Sequence, residues 1–143
     1  MTAIADDLVN FYFVWSTCAF EHLGSIEAGL AFVEQAMNCL VPGGIAVHTT
    51  EFNLDSYEHT TLSGGTVAYR SRDLVELEER LAEAGHAMAP FHEGARGSGI
   101  FDYLIDVPPN HFGTLIVRLG DYRITPAIVV VRAGTPPDPP SSS

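Results

Sequence analysis

Apolar residues fall along the chain in short continuous runs and in one-sided stripes, separated by polar gaps. The first run, Phe11-Tyr12-Phe13-Val14-Trp15-Ser16, is mostly aromatic or β-branched and predicts a buried strand. Ser25 then precedes Ile26, Leu30, Val33, Met37 and Leu40, whose spacings of four, three, four and three trace one face of a helix. Ser25 has the character of an N-cap, and Glu27 suits the first turn. Pro42-Gly43-Gly44 is expected to stop this helix and turn the chain into a second strand, Ile45-Ala46-Val47-His48-Thr49-Thr50. Strand, helix and strand within about 40 residues make a βαβ unit, so the two strands are expected to lie parallel.

Residues 53–66 are polar and contain glycine, which predicts a surface loop. A second stripe, Leu74, Leu77 and Leu81, predicts a helix capped by Ser71 or Asp73, with Asp73 and Glu76 at capping-box spacing and Gly85 at C′. Glu76, Glu78, Glu79 and Glu83 read as its solvated face. Ala87 to Phe91 suggests a short strand, and Glu93 to Gly99 a mobile glycine-rich segment. Leu115 to Leu119, a turn at Gly120-Asp121 and Ile124 to Val131 predict an antiparallel hairpin, with a bulge or late start at Pro126. The organisation expected is one α/β domain over residues 1–132 and a disordered Pro/Ser-rich tail over 133–143.

Composition narrows the function classes. A chain of 143 residues with 46% hydrophobic and 17% charged side chains can build one real core. Its 18 acidic and 7 basic residues give a net charge of −11, and the basic residues are all scattered arginines. A phosphate-tracking nucleic-acid surface is not expected, nor is a membrane partner, because no apolar run reaches about 20 residues. Cys18 and Cys39 each sit in apolar surroundings without a partner at metal or redox spacing. They read as buried free thiols in a cytoplasmic protein rather than as a disulfide.

One ordered set of motifs carries a resemblance. Phe13-Val14-Trp15-Ser16, Glu21-His22-Leu23, an amphipathic helix, Leu40-Val41-Pro42-Gly43-Gly44 and a β run ending in Thr49-Thr50-Glu51 resemble the C-terminal half of class I S-adenosylmethionine-dependent methyltransferases, of the type 11 kind. The terminal hairpin is a further family habit. The implied fold is a partial Rossmann-like sheet, with a parallel strand-helix-strand core and a C-terminal antiparallel hairpin. Two departures stand out. Tyr12 replaces the usual aspartate, and the family's glycine-rich first βα turn and following acidic residue are absent from these residues. The chain therefore looks like the late half of such an enzyme, impaired or inactive alone.

The resemblance implies S-adenosyl-L-methionine as cofactor and a small-molecule or sugar-like methyl acceptor. Met1 and Thr2 would belong to the loop over the adenine. Ser16, Thr17, Cys18 and Glu21 would face the cofactor, and His48, Thr49, Thr50 and Asn53 the substrate. His22 and Glu51 are the candidate bases. Cys18 lacks the glycines of a nucleophile elbow, which also argues against a hydrolase, and its expected place is the core. No H-x-x-x-H or similar spacing links His22, His48 and Glu51, so no metal is expected. A missing N-terminal half would leave a hydrophobic sheet edge that could be covered by that half or by a homodimer partner. The alternative reading is a non-catalytic interaction module that keeps the scaffold.

Overall fold

The computed structural model describes residues 4–91 and 117–134. The expectations for Met1, Thr2, residues 93–99, Leu115, Ile116 and the tail from Thr135 onward lie outside the described residues. In chain order the elements are β1 (Phe11–Ser16), a 3-10 turn (Phe20–His22), α1 (Ile26–Met37), β2 (Leu40–Asn53), α2 (Ser71–Glu83), β3 (Ala87–Met88), β4 (Val117–Leu119) and β5 (Tyr122–Arg132). They make an α/β fold on one mixed sheet of order β1-β2-β5-β3, with β4 also paired to β5. β1 and β2 are parallel, as the βαβ pattern predicts, and every pairing of β5 is antiparallel. No helix among the described residues is long and apolar enough to cross a membrane.

The first helix begins where its cap is. The Ser25 side chain accepts the Ala28 N–H at 3.1 Å, and Leu30, Val33 and Met37 are buried. Its end differs from expectation. α1 stops at Met37 with Asn38 as C-cap, and Leu40-Val41-Pro42-Gly43-Gly44 belongs to β2. The register against β1 slips between Phe11↔Leu40 and Phe13↔Ile45, so Pro42-Gly43-Gly44 forms a bulge inside a strand rather than a turn. Gly43 takes φ +81°, a conformation that a side chain would strain.

The N-cap of α2 is Arg70, not Ser71 or Asp73. Asp73, at N3, accepts the Arg70 backbone N–H and grips its guanidinium at 2.7–2.8 Å, so the acidic side chain works backward to the cap rather than forward to Glu76. At the other end the Gly85 and His86 N–H groups bond Ala82 and Leu81 carbonyls, a Schellman closure at the expected glycine. Arg80 ties α2 to α1 through Glu27 and Glu34, and also takes Glu76. One member of the supposed solvated acidic face is therefore paired.

Pro126 causes no bulge. β5 stays in register with β2 from Asn53↔Ile124 to Ile45↔Arg132, with Glu51 opposite Pro126. The Leu54 N–H to Arg123 O and Ala133 N–H to Gly44 O bonds place Glu51 and Pro126 in a non-hydrogen-bonded pair, so the missing N–H faces away from β2.

Both helices pack on one face of the sheet. Leu30, Val33, Met37, Leu74, Leu77 and Leu81 join Ala46, Phe52, Ala127, Val129 and Val131 in one core. Each fully buried leucine contributes about 1.5–3 kcal/mol. The opposite face shows Phe13 (54% exposed), Trp15 (67%) and Ile128 (61%), and no described helix covers it. β1 is thus an exposed strand rather than the buried one its composition predicts.

Candidate functional site

In an open sheet with parallel strands, ligands approach the carboxyl ends, where the chain leaves the ladder and polar groups are free to converge. Here β1 ends at Ser16 and β2 runs on to Asn53. The 3-10 turn Phe20–His22 sits over these ends and is clamped by the segment Gly65–Tyr69. His22 Nδ1 lies 2.7 Å from the Gly65 carbonyl, the Val67 N–H donates to Glu21 O, and the Tyr69 hydroxyl donates to Phe20 O. Tyr69 in turn exchanges backbone bonds with Glu51 and Asn53. The clamp fixes the turn to the tip of β2.

This clamp decides the chemistry of His22. A carbonyl only accepts, so Nδ1 carries a proton, and in the neutral imidazole Nε2 holds the lone pair. Nε2 stands 4.0 Å from Glu21 Oε1, and the imidazole is half-exposed. Glu21 itself is fully buried. Its Oε2 accepts from the Thr50 hydroxyl at 3.3 Å, whereas Oε1 has no hydrogen-bond partner. Glu51 Oε2 is buried and unpartnered as well. Burial pushes the Glu51 carboxyl above its ordinary value, the nearby Glu21 adds to the rise, and His22 opposes it.

Cys18 is exposed rather than packed in the core, with φ +45°, and its N–H donates to Thr49 Oγ1 at 3.0 Å. Cys18 Sγ and carboxylate oxygens of Glu21 and Glu51 lie within 4.8 Å of one another. Cys39 is free and buried, as expected, and burial raises its thiol.

The other nominated residues divide by position. Thr17 is exposed at the tip. Thr49 and Thr50 hold Cys18 and Glu21 in place, which makes them positioning groups. His48 is fully buried on the helix side, between the ring edges of Phe20 and Phe32, and pairs with Ser16 Oγ at 2.7 Å. Alternation along β2 turns His48 toward the helices, and the Ser16 and His48 side chains are occupied with each other there. Burial lowers the His48 imidazole to about 4. With Nδ1–H donating to Ser16, the unpartnered Nε2 buries only a lone pair. Asn53 is spent on its own loop, accepting from Asp55 and Ser56 N–H groups and donating to His59 O.

Sequence reasoning passes over the clamp. Gly65 and Thr66 fall in the supposed surface loop, yet Val67, Ala68 and Tyr69 beside them are completely buried. That apolar triplet just ahead of α2 is the signal that the chain returns to the core there.

No family model and no curated protein matches the chain. Among solved structures, a crystal structure from Bacillus halodurans C-125 described as a "putative methyltransferase" is similar, at 15% identity and a TM-score of 0.44, over 88% of this chain. This chain spans 65% of that protein's length.

Proposed function

We propose that these residues form part of an S-adenosylmethionine-dependent methyltransferase site that acts on a small-molecule or sugar-like acceptor. The observation that carries the reading is the parallel β1–β2 pair, whose tips bring Cys18, Glu21, His22 and Glu51 into one acidic, partly open corner. The donor chemistry fits the cofactor: two buried carboxylate oxygens without partners suit a ligand bearing positive charge. S-adenosylmethionine, when bound, supplies an electrophilic methyl on a positive sulfur. His22 Nε2, with its lone pair outward, accepts the acceptor's hydroxyl proton, and Glu51 is the second candidate base. Thr49 and Thr50 hold the corner's shape, which keeps reactants aligned.

Ribose and carboxypropyl contacts that the resemblance would require are not encoded by these residues, so the chain alone should bind the cofactor weakly. We read the bare face of β1, with Phe13 and Trp15, as the surface on which a portion carrying the glycine-rich motif packs. A net charge of −11 works against a second copy as occupant. The free Cys18 and Cys39 suit a cytoplasmic setting. The same bare face favours the second reading, a non-catalytic interaction module.

Titration of the labelled full chain with S-adenosylhomocysteine, followed by amide NMR, separates the two readings. The methyltransferase reading expects saturable shifts confined to residues 16–22 and 48–53, with a Kd near about 1 mM, some −4 kcal/mol. Absence of saturable shifts there at millimolar ligand favours the interaction module.

A further inference from the structure

The corner at the strand tips sets a thiol beside the two carboxylates, a donor set that methyl transfer does not require. Cys18 Sγ, a Glu21 oxygen and a Glu51 oxygen all lie within 4.8 Å of one another, so one point in space is within about 2.8 Å of all three. Glu21 is fully buried, and its Oε1 has no hydrogen bond. Glu51 Oε2 is likewise buried and unpartnered. Leaving such oxygens unpaired costs about 1–3 kcal/mol each, more when charged, and two facing carboxylates add repulsion. A cation at the shared point would relieve both terms.

We propose that Cys18, Glu21 and Glu51 form a binding site for a divalent transition-metal ion of the zinc type. The donor set selects the metal. A thiolate is a poor ligand for magnesium or calcium, which take oxygen, whereas zinc accepts sulfur and carboxylate oxygen at about 2.0–2.3 Å. Closing from about 2.8 Å to that range needs side-chain adjustment only, and the exposed Cys18 has room to make it. The three donors leave a fourth tetrahedral position. His22 Nε2 lies 4.0 Å from Glu21 Oε1, next to the three donors. The supports are already in place: Thr50 holds the second Glu21 oxygen, and Thr49 holds the Cys18 backbone. The site stands on these contacts whether or not the chain transfers methyl groups.

Chelator-stripped full chain, reduced and free of any adenosyl ligand, would be titrated with Zn²⁺ alone by calorimetry and with Co²⁺ by absorbance. One ion per chain and a thiolate-to-cobalt charge-transfer band are expected. Loss of an outer-sphere partner already weakens metal sites about 10- to 100-fold, so Cys18→Ser and Glu21→Gln should each weaken Zn²⁺ by roughly 100-fold or more. Cys18→Ser should also abolish the band, and Cys39→Ser should leave both signals as in the wild type. Should Glu21→Gln fail to fold, Cys18→Ser decides alone, because its side chain is exposed. Absence of saturable Zn²⁺ binding, or undiminished binding and an intact band in Cys18→Ser, overturns the proposal.

Discussion

The two faces of the sheet are built from the same strands and differ in almost everything else. Toward the helices, Ala46, His48, Thr50 and Phe52 of β2 are at most 1% exposed, under the leucines of α1 and α2. On the other side, the intervening Ile45, Val47, Thr49 and Glu51 are only half-buried, and Trp15 and Ile128 stand open. Parallel strands are normally covered on both faces. β1 is short of cover on both of its sides, with Phe13 and Trp15 open on one and Tyr12, 79% exposed, on the other.

If the helix side is a finished core, intrusion there should be the most damaging change. Gly29 of α1 leaves the space that Tyr69 occupies, and a Cβ at this position would overlap Tyr69 Oη and crowd the Phe20 carbonyl. Gly29→Ala should cost more than about 3 kcal/mol in urea unfolding and loosen the clamp over His22, despite the higher helix propensity of alanine. A stability close to wild type would mean that the closed face is less tightly fitted than these contacts require.

Acid should act on the closed face next. His48 is held neutral, with its imidazole lowered to about 4, while the unfolded chain protonates near 6.5. The unfolded state therefore binds more protons between those values. The stability that His48 confers is complete above about pH 6.5 and is lost as pH falls toward 4. Between pH 7.5 and 4.5 the loss should be about 2–3 kcal/mol. His48→Leu should remove that share of the pH dependence, measured as the difference between unfolding free energies at the two pH values.

The open face predicts the smallest effect. Trp15→Ser should change stability by no more than about 0.5 kcal/mol, because the indole is already in water. Its signature should be a fall in the binding of a fluorescent probe of exposed apolar surface, read by its emission. A loss comparable to that of Gly29→Ala would show that Trp15 is covered in solution and that the two faces are alike.

Much of this architecture is legible in the residues, because local periodicity and local caps generate it. Ser25 caps α1, Leu74, Leu77 and Leu81 line the core, and the parallel β1–β2 pair follows from strand, helix and strand spacing. Errors arise where a distant partner overrides local chemistry. Pro42-Gly43-Gly44 looks like a turn, but pairing with β1 and β5 draws it into β2 as a bulge. Arg70 is a poor cap by residue type, and Asp73 from the next turn makes it one. The site is half legible. Cys18, Glu21, His22 and Glu51 could be placed at strand tips from order alone, but their convergence depends on the clamp from Gly65 to Tyr69, to which no spacing rule points. His48 and Asn53 misled because polar residues near a strand end can be absorbed by the core or by a neighbouring loop.

The Phe52↔Tyr69 bridge closes the base of the excursion between β2 and α2, and Asn53 and Tyr69 seal it with backbone bonds. Between those anchors the excursion is still tied to its surroundings, at Leu54 and Asp55 to Arg123 of β5 and at Val67 to Glu21. Residues 57–62 are anchored too, through Arg70 to the Glu58 carbonyl and the Ile26 N–H to the Leu62 carbonyl, so lengthening this stretch should pull on the hinge that seats Glu21 and His22 and re-shape the approach to the strand tips.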